Sequence, residues 1–189
     1  MKKISILIFA ISLLYCKAQE QTLPLTTMNN ELPLNAYIKD TENQLPAFEG
    51  TWKGKVNDKT FTIVLKKAKY YDTLSQSNPF YKDLLWGKFQ VKDSNDKILF
   101  DNLSLQDNYS KIQGRRIYPS GKYELIYLDP DLCNKVGLIM IGFTDDSKKE
   151  LKFRYKDYPQ NLDSSCFYYG KPAEQQPEPL PKEIILTKQ

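Results

Sequence analysis

The chain has 189 residues, which is enough for one domain with a sizeable core and too few for two of ordinary size. Charged residues make up 26% of the chain and the mean hydropathy is −0.55, which excludes a protein with several membrane spans. The formal net charge of +4 falls to about +1 without Lys2, Lys3 and Lys17. Because the remaining charges of both signs are interspersed, the sequence predicts no nucleic-acid partner.

The chain contains no histidine. This removes the usual general base, the Ser-His and Cys-His pairs, and the residues of most zinc and iron sites. An enzyme of this composition would have to rely on carboxylates, lysine or tyrosine, and no such constellation is recognisable. We therefore predict a protein that is not an enzyme, with no catalytic residues, no metal site and no cofactor.

Residues 1–18 have the pattern of a signal peptide. Two lysines precede an apolar run at residues 4–15, and Cys16 and Ala18 supply small residues at the −3 and −1 positions. The run is shorter than the roughly 20 residues that span a bilayer. We predict cleavage after Ala18 and a secreted, periplasmic or cell-surface protein. The alternative is a lipoprotein anchored to a membrane at Cys16, since residues 13–16 are similar to a lipobox.

The two cysteines left after cleavage, Cys133 and Cys166, predict a disulfide, because an even pair in an oxidising compartment is typically bonded. Closing a loop of roughly 33 residues would stabilise the fold by about 3–4 kcal/mol in the chain-entropy model. A redox-active or metal-binding pair is the alternative, but the chain lacks a C-x-x-C spacing.

Residues 19–46 are polar and contain Pro24 and Pro33, which predicts an extended N-terminal arm. Residues 37–40 could form either a short helix or an added strand.

From residue 47 to the end, apolar and polar residues alternate in short runs, which predicts strands. Residues 66–82 interrupt the alternation and read as a long loop. The run at 136–143 is apolar almost throughout, which predicts the most buried strand. No stretch has the apolar spacing of a core helix. The predicted fold is all-β, a single antiparallel up-and-down barrel of about eight or nine strands, with strands at residues 50–56, 60–65, 85–91, 97–103, 111–118, 121–128, 136–143, 150–155 and 183–188.

The end of the chain predicts how the barrel closes. Residues 171–182 contain four prolines and form a stiff connector. The strand that follows at 183–188 would pair with the strand of Trp52, because full closure removes exposed edges.

The Gly50-Thr51-Trp52 motif at the head of this strand series resembles the Gly-x-Trp signature of the lipocalin-like (calycin) barrels. The resemblance implies that Trp52 plugs the closed end of the barrel and that Arg154 packs over its ring. The chain lacks the Thr-Asp-Tyr motif of that family, and the connector replaces its helix. Together with the signal peptide and the cysteine pair, the motif also resembles a family of small secreted bacterial proteins, a domain of unknown function, which implies no activity.

Aromatic residues around the predicted loop are the candidate ligand-binding residues, because rings at a barrel rim can contact a ligand or a partner. They are Tyr70, Tyr71, Phe80, Tyr81 and Trp86. Local packing over the barrel mouth is the alternative. Six large residues expected to point inward favour a filled barrel interior: Phe61, Leu65, Phe89, Tyr123, Tyr127 and Phe153.

These features predict a secreted, monomeric binding module that holds a small apolar ligand, or a macromolecular partner, at the open end of the barrel. The alternative is a surface interaction protein or secreted inhibitor that acts through the aromatic loop.

Overall fold

The computed structural model describes residues 20–28, 32–73, 78–160 and 162–189. The predicted signal peptide and Cys16 lie in residues 1–19, outside the described part, and stay predictions. The described residues form strands and short 3-10 helices without an α-helix, which confirms the all-β fold class. A helix long and apolar enough to cross a membrane does not occur among them.

Eleven strands lie in the described residues. They are β1 (Gln21–Pro24), β2 (Ala36–Lys39), β3 (Gly50–Val56), β4 (Lys59–Asp72), β5 (Phe80–Lys92), β6 (Ile98–Asp101), β7 (Ile112–Ile117), β8 (Tyr123–Asp129), β9 (Lys135–Phe143), β10 (Glu150–Asp157) and β11 (Glu183–Lys188). β3 to β11 correspond to the strands that the alternation predicted.

Eight of these strands close into an antiparallel barrel in the order β3-β4-β5-β7-β8-β9-β10-β11. β11 pairs with β3, where Thr187 lies opposite Lys53, which confirms the predicted closing strand. β7 pairs with β5, where Trp86 lies opposite Gln113. β6 pairs with β5 outside this path. Because the barrel is closed, each of its eight strands has a neighbour on both sides, and no barrel strand is left with an unpaired backbone edge.

The N-terminal arm adds two strands to the outside of the barrel. β2 pairs in parallel with β5, with Tyr37 opposite Tyr81, and β1 pairs in parallel with β2. Residues 36–39 are therefore an added strand, the second of the two conformations that the sequence left open.

The predicted loop at residues 66–82 is wrong, because most of it is strand. β4 continues to Asp72 and β5 begins at Phe80, and the two strands pair throughout. Lysines at positions 66, 67 and 69 interrupt the apolar alternation, so the second half of β4 is not recognisable as a strand from the sequence. Pairing with β5 keeps it extended. β3 ends its pairing with β4 at Leu65, so the hairpin of β4 and β5 extends beyond the barrel.

The barrel interior is filled by side chains. The six large residues predicted to point inward are each at most 2% exposed. Rings of non-adjacent strands meet across the barrel, with the centroids of Phe61 and Phe153 5.3 Å apart. A Cβ at Gly137 would lie 2.3 Å from the Tyr155 ring, so even a methyl group has no room there.

The strand predicted to be the most buried is the wrong one. β9 is alternately buried and partly exposed, whereas the six consecutive residues 82–87 of β5 are all buried. The reason is that β5 pairs with β2, β4, β6 and β7, so it lies where the barrel and the added strands meet.

Trp52 is fully buried at one end of the barrel. Its Nε1–H donates to the carbonyl oxygen of Phe48 at 2.8 Å, and the Phe48 ring stacks on Phe143 with centroids 4.5 Å apart. The three rings close this end, and they place Trp52 in the core.

The contact between Arg154 and Trp52 that the resemblance implied is not made. Arg154 points outward, and its Nε donates to the Glu183 carboxylate at 2.8 Å, because it alternates with the inward-facing Phe153 and Tyr155. Lys188 of β11 takes the position over the tryptophan instead, with its Nζ 5.2 Å from the ring centroid.

The proline-rich connector crosses the other end of the barrel, near the turn between β3 and β4. Leu180 is buried there, and it lines a cleft of about 180 Å³ with Val56, Phe61 and Val91. The mouth that was expected to be open is thus covered by the connector, apart from this small cleft.

The predicted disulfide between Cys133 and Cys166 is confirmed, with the two Cα atoms 5.7 Å apart. It ties the chain that follows β10 to the turn between β8 and β9.

Candidate binding site

Three tyrosines form a row across the hairpin that extends beyond the barrel. Tyr81 of β5 lies opposite Tyr71 of β4 on one side and opposite Tyr37 of β2 on the other. The ring centroids of Tyr71 and Tyr81 are 4.8 Å apart, and those of Tyr37 and Tyr81 are 6.3 Å apart. Directly opposed residues share a face of a sheet, so the pairing of three strands builds this row.

Lys69 lies over the row, two residues before Tyr71 on the same face of β4. Its Nζ is 3.9 Å from the Tyr37 ring centroid and 4.2 Å from that of Tyr81, a cation–π arrangement. The four residues Tyr37, Lys69, Tyr71 and Tyr81 are called the hairpin platform below. Tyr71 and Tyr81 are 47% and 40% exposed, so the outer part of the platform faces solvent.

A buried polar network holds the platform in place. The Tyr37 hydroxyl donates to Asp83 at 2.6 Å, and the backbone N–H of Asp40 donates to the same carboxylate. The Nζ of Lys67 lies 2.9 Å from Asp40 and 3.8 Å from Asp83. Burial, reinforced by the hydrogen bond to Asp83, raises the pKa of Tyr37 above its usual range, so its hydroxyl stays a donor.

The five predicted ligand-binding residues divide between the surface and the interior. Tyr71 and Tyr81 belong to the hairpin platform. Phe80 and Trp86 are buried, and Tyr70 is half-buried with its ring edge-on to Trp86 at 5.5 Å. Because alternate residues of a strand point to opposite faces, Phe80 and Trp86 lie on the other side of β5 from Tyr81 and do not rim a cavity.

The sequence did not predict Tyr37 or Lys69 as site residues. Tyr37 lies in the N-terminal arm, far from the hairpin in the chain, and Lys69 belongs to a lysine-rich run that reads as a solvated face. One feature of the sequence could have indicated Tyr37. Residues 37–40 were predicted as either a short helix or an added strand, and a strand there can align Tyr37 with a tyrosine of a neighbouring strand.

The opposite face of β5 carries a second charged cluster. Lys82 is buried, and its Nζ donates to the carbonyl oxygen of Arg115. Glu124, also buried, lies 3.2 Å from Nη1 of Arg115 and accepts from the Tyr118 hydroxyl at 2.5 Å. Burial lowers the pKa of Lys82 to about 8, against the opposing attraction of Asp72. This cluster fastens β5 to β7 and β8.

The exposed groups of the platform determine which contacts it offers. Its exposed groups are tyrosine hydroxyls, ring faces and one ammonium group, which suit aromatic stacking and hydrogen bonding to a partner. Within residues 20–28, 32–73, 78–160 and 162–189, no group of three or more histidine, cysteine or acidic side chains is arranged to hold a metal ion.

The described residues form an all-β fold with a closed eight-stranded barrel and a tyrosine row in which Tyr71 and Tyr81 are exposed. The chain belongs to the family described as "Family of unknown function (DUF6705)", whose model matches residues 1–189. No curated protein matches the chain, and no solved structure matches it either.

Proposed function

We propose that this protein is a secreted, non-enzymatic binding module that contacts a macromolecular partner through the hairpin platform. The observation that carries the proposal is the filled barrel. Since rings such as Phe61 and Phe153 meet across its interior, recognition takes place on the outer surface.

The hairpin platform has the features of a protein contact site. Tyrosines are enriched at interfaces because a rigid amphipathic ring contributes a large contact area at little entropic cost. Tyr71 and Tyr81 combine exposed rings with positions that cross-strand pairing holds before a partner arrives, and Tyr37 beside them is held by its hydrogen bond to Asp83. Such preorganisation reduces the entropic cost of association.

A lipocalin-like relationship and export from the cell are parts of the same proposal. The relationship is supported by the antiparallel order of the barrel strands, by Trp52 in the core, and by Lys188 over its ring. Export is supported by the disulfide, since such bonds persist in oxidising compartments.

Replacing both exposed tyrosines tests the platform. The variant Tyr71→Ala/Tyr81→Ala, made in the chain from residue 19 onward, should recover at least about tenfold less partner than wild type in a quantitative pull-down from the source organism. Its free energy of unfolding should fall by only about 1 kcal/mol, because the lost rings are solvent-exposed.

The matched control is Tyr109→Ala, which removes a ring that is 66% exposed elsewhere on the surface. It should retain the partner that the double variant loses. If both variants recover every wild-type partner equally, the platform is not the contact site and the proposal is rejected.

The cleft beneath Leu180 favours a second candidate function, the binding of a small apolar molecule. Its walls include Val56, Phe61 and Val91, and its volume is about 180 Å³, so it could hold only a few heavy atoms. Native mass spectrometry of protein purified from its own host tests this function. A bound mass that disappears in Leu180→Ala supports it, and protein without any bound mass contradicts it.

A further inference from the structure

A groove separate from the hairpin platform lies beside the disulfide. The chain after β10 folds back against the turn between β8 and β9, and the two segments enclose about 520 Å³. That volume is in the range of small-molecule sites, roughly 300–1,000 Å³. The term disulfide groove is used below for the space between six of its lining residues: Asp131, Asn134, Tyr158, Gln160, Asp163 and Ser165.

Bonds within the protein fix the walls of the disulfide groove. The disulfide joins one wall to the other. The side-chain amide of Gln160 donates to the carbonyl oxygens of Leu132 and Cys133, each at 3.3 Å. The backbone N–H of Tyr158 donates to the Val136 carbonyl at 2.9 Å. The groove is therefore formed before a ligand binds, which lowers the cost of binding.

The polar groups of the groove are acceptors and amides. Asp163 accepts from the backbone N–H and the hydroxyl of Ser165, at 2.8 and 2.6 Å. These hydrogen bonds lower the pKa of Asp163, so the carboxylate stays ionised and keeps lone pairs for a ligand. Asn134 adds an amide oxygen and N–H groups, and Gln160 adds its amide oxygen, because its N–H groups donate to Leu132 and Cys133.

The charge of the groove disfavours anions. Its described lining residues include two carboxylates and no lysine or arginine. Lys111 approaches Asp131 at 2.7 Å, but its Nζ also contacts Asp129 at 2.6 Å and is thereby occupied. A phosphate, sulfate or carboxylate ligand would meet a net negative charge here, because the single cation Lys111 is shared between Asp129 and Asp131 and the described lining adds no cation near Asp163.

Tyr158 adds an aromatic wall. The residue is 42% exposed and lines the groove beside Pro159 and Leu162. A ring face next to carboxylate and amide groups matches the two surfaces of a sugar, whose C–H face packs on an aromatic ring and whose hydroxyls both donate and accept hydrogen bonds.

We propose that the disulfide groove binds an uncharged saccharide, with Tyr158 under the sugar ring and Asp163, Asn134 and Gln160 bonding its hydroxyls. The site does not depend on the hairpin platform, because the two share no residue. Failure of the platform variants therefore says nothing about the groove, and the reverse also holds.

The experiment is a titration of the ¹⁵N-labelled, oxidised chain from residue 19 onward, followed by NMR. The probes are four neutral hexasaccharides of β-1,4-glucose, β-1,3-glucose, α-mannose and β-1,4-N-acetylglucosamine, with hexagalacturonate as the anionic comparison. At least one neutral probe should give saturable shifts for the amides of Tyr158, Gln160 and Asp163. Hexagalacturonate should bind at least about tenfold more weakly.

Variants decide whether the groove is the site. Tyr158→Ala should weaken binding of the neutral probe by about tenfold, and Asp163→Asn should weaken it while retaining the oxygen that accepts from Ser165. Tyr109→Ala, a matched loss of an exposed ring outside the groove, should leave it unchanged. The proposal would be overturned if no neutral probe gave saturable shifts at concentrations up to about 10 mM. A Kd near 10 mM corresponds to a binding free energy of only about 2.7 kcal/mol. Equal binding by Tyr158→Ala, or equal binding of hexagalacturonate, would overturn the proposal as well.

Discussion

Lys82 carries a cationic side chain that is only 5% exposed. In the unfolded chain a lysine keeps its proton up to its ordinary pKa of 10.5, whereas burial lowers the pKa of Lys82 to about 8 in the folded protein. Between these two values the unfolded state binds more protons than the folded state. The free energy of unfolding therefore rises with pH in this window and is lower below it.

We expect the titration of Lys82 to add about 2 kcal/mol to the free energy of unfolding between pH 7.5 and pH 10, measured by urea denaturation as the difference between the pH profiles of wild type and Lys82→Met. Above pH 10 the free energy of unfolding should fall again. Burial raises the pKa values of Tyr123, Tyr127 and Tyr155 above 10, so these groups ionise first in the unfolded chain.

Lys82→Met is the control for this pH profile. It removes the titrating group, while Glu124 keeps its contacts with Arg115 and Arg116. The rise between pH 7.5 and pH 10 should disappear in the variant. The same rise in both proteins would show that another group is responsible.

Among the elements, β11 decides whether the barrel closes. It is separated from β10 by the long connector, yet it fills the gap between β10 and β3. Leu186 points into the core and is fully buried, whereas its neighbour Ile185 is 43% exposed. The two residues therefore offer a matched pair in one strand.

Leu186→Ala should lower the free energy of unfolding by about 3 kcal/mol, because it removes buried methyl groups and leaves a cavity. Ile185→Ala should cost less than about 1 kcal/mol, since its side chain is partly solvated. Chemical denaturation of both variants checks the difference. Equal losses would mean that β11 is not packed on the barrel core as described.

At the scale of the whole molecule, the disulfide connects the barrel to the segment that covers one of its ends. It joins residue 133, after β8, to residue 166, in the chain that continues to Leu180. The barrel itself contains neither cysteine, so its strands pair without the bond.

Cys133→Ala/Cys166→Ala should lower the free energy of unfolding by about 3 kcal/mol, through the greater freedom of the unfolded chain. The far-UV circular dichroism spectrum should stay that of the wild type, because the barrel strands are retained. Wild-type protein under reducing conditions should show the same loss. An unchanged stability, or loss of the β-spectrum, contradicts this account.

Local pattern predicted the strands of the barrel well but the hairpin poorly. Phe61 and Phe89 alternate with polar neighbours, so their strands were recognisable from one segment at a time. The second half of β4 carries Lys66, Lys67 and Lys69, and only its pairing with β5 keeps it extended. The loop prediction failed because that pairing is not visible within the segment.

The candidate site was predicted in part. Tyr71 and Tyr81 were named from the sequence, but Trp86 and Phe80 were assigned to the same surface although they are buried. Tyr37 was missed because it joins the row through the parallel pairing of β2 with β5. In that pairing it lies opposite Tyr81, which comes 44 residues later in the chain. Neighbours across strands cannot be inferred from spacing along the chain.

The sequence by itself determined the all-β class, the closing strand at Thr187 and the disulfide. The strands follow from alternation and turn residues, which act locally, and the two cysteines left after the predicted cleavage can form only one disulfide. The tertiary structure decided which side chains meet. It placed Lys188, not Arg154, over Trp52 and covered the barrel mouth with Leu180. These outcomes depend on strand register and on the path of the connector, which are set by packing between segments distant in the chain.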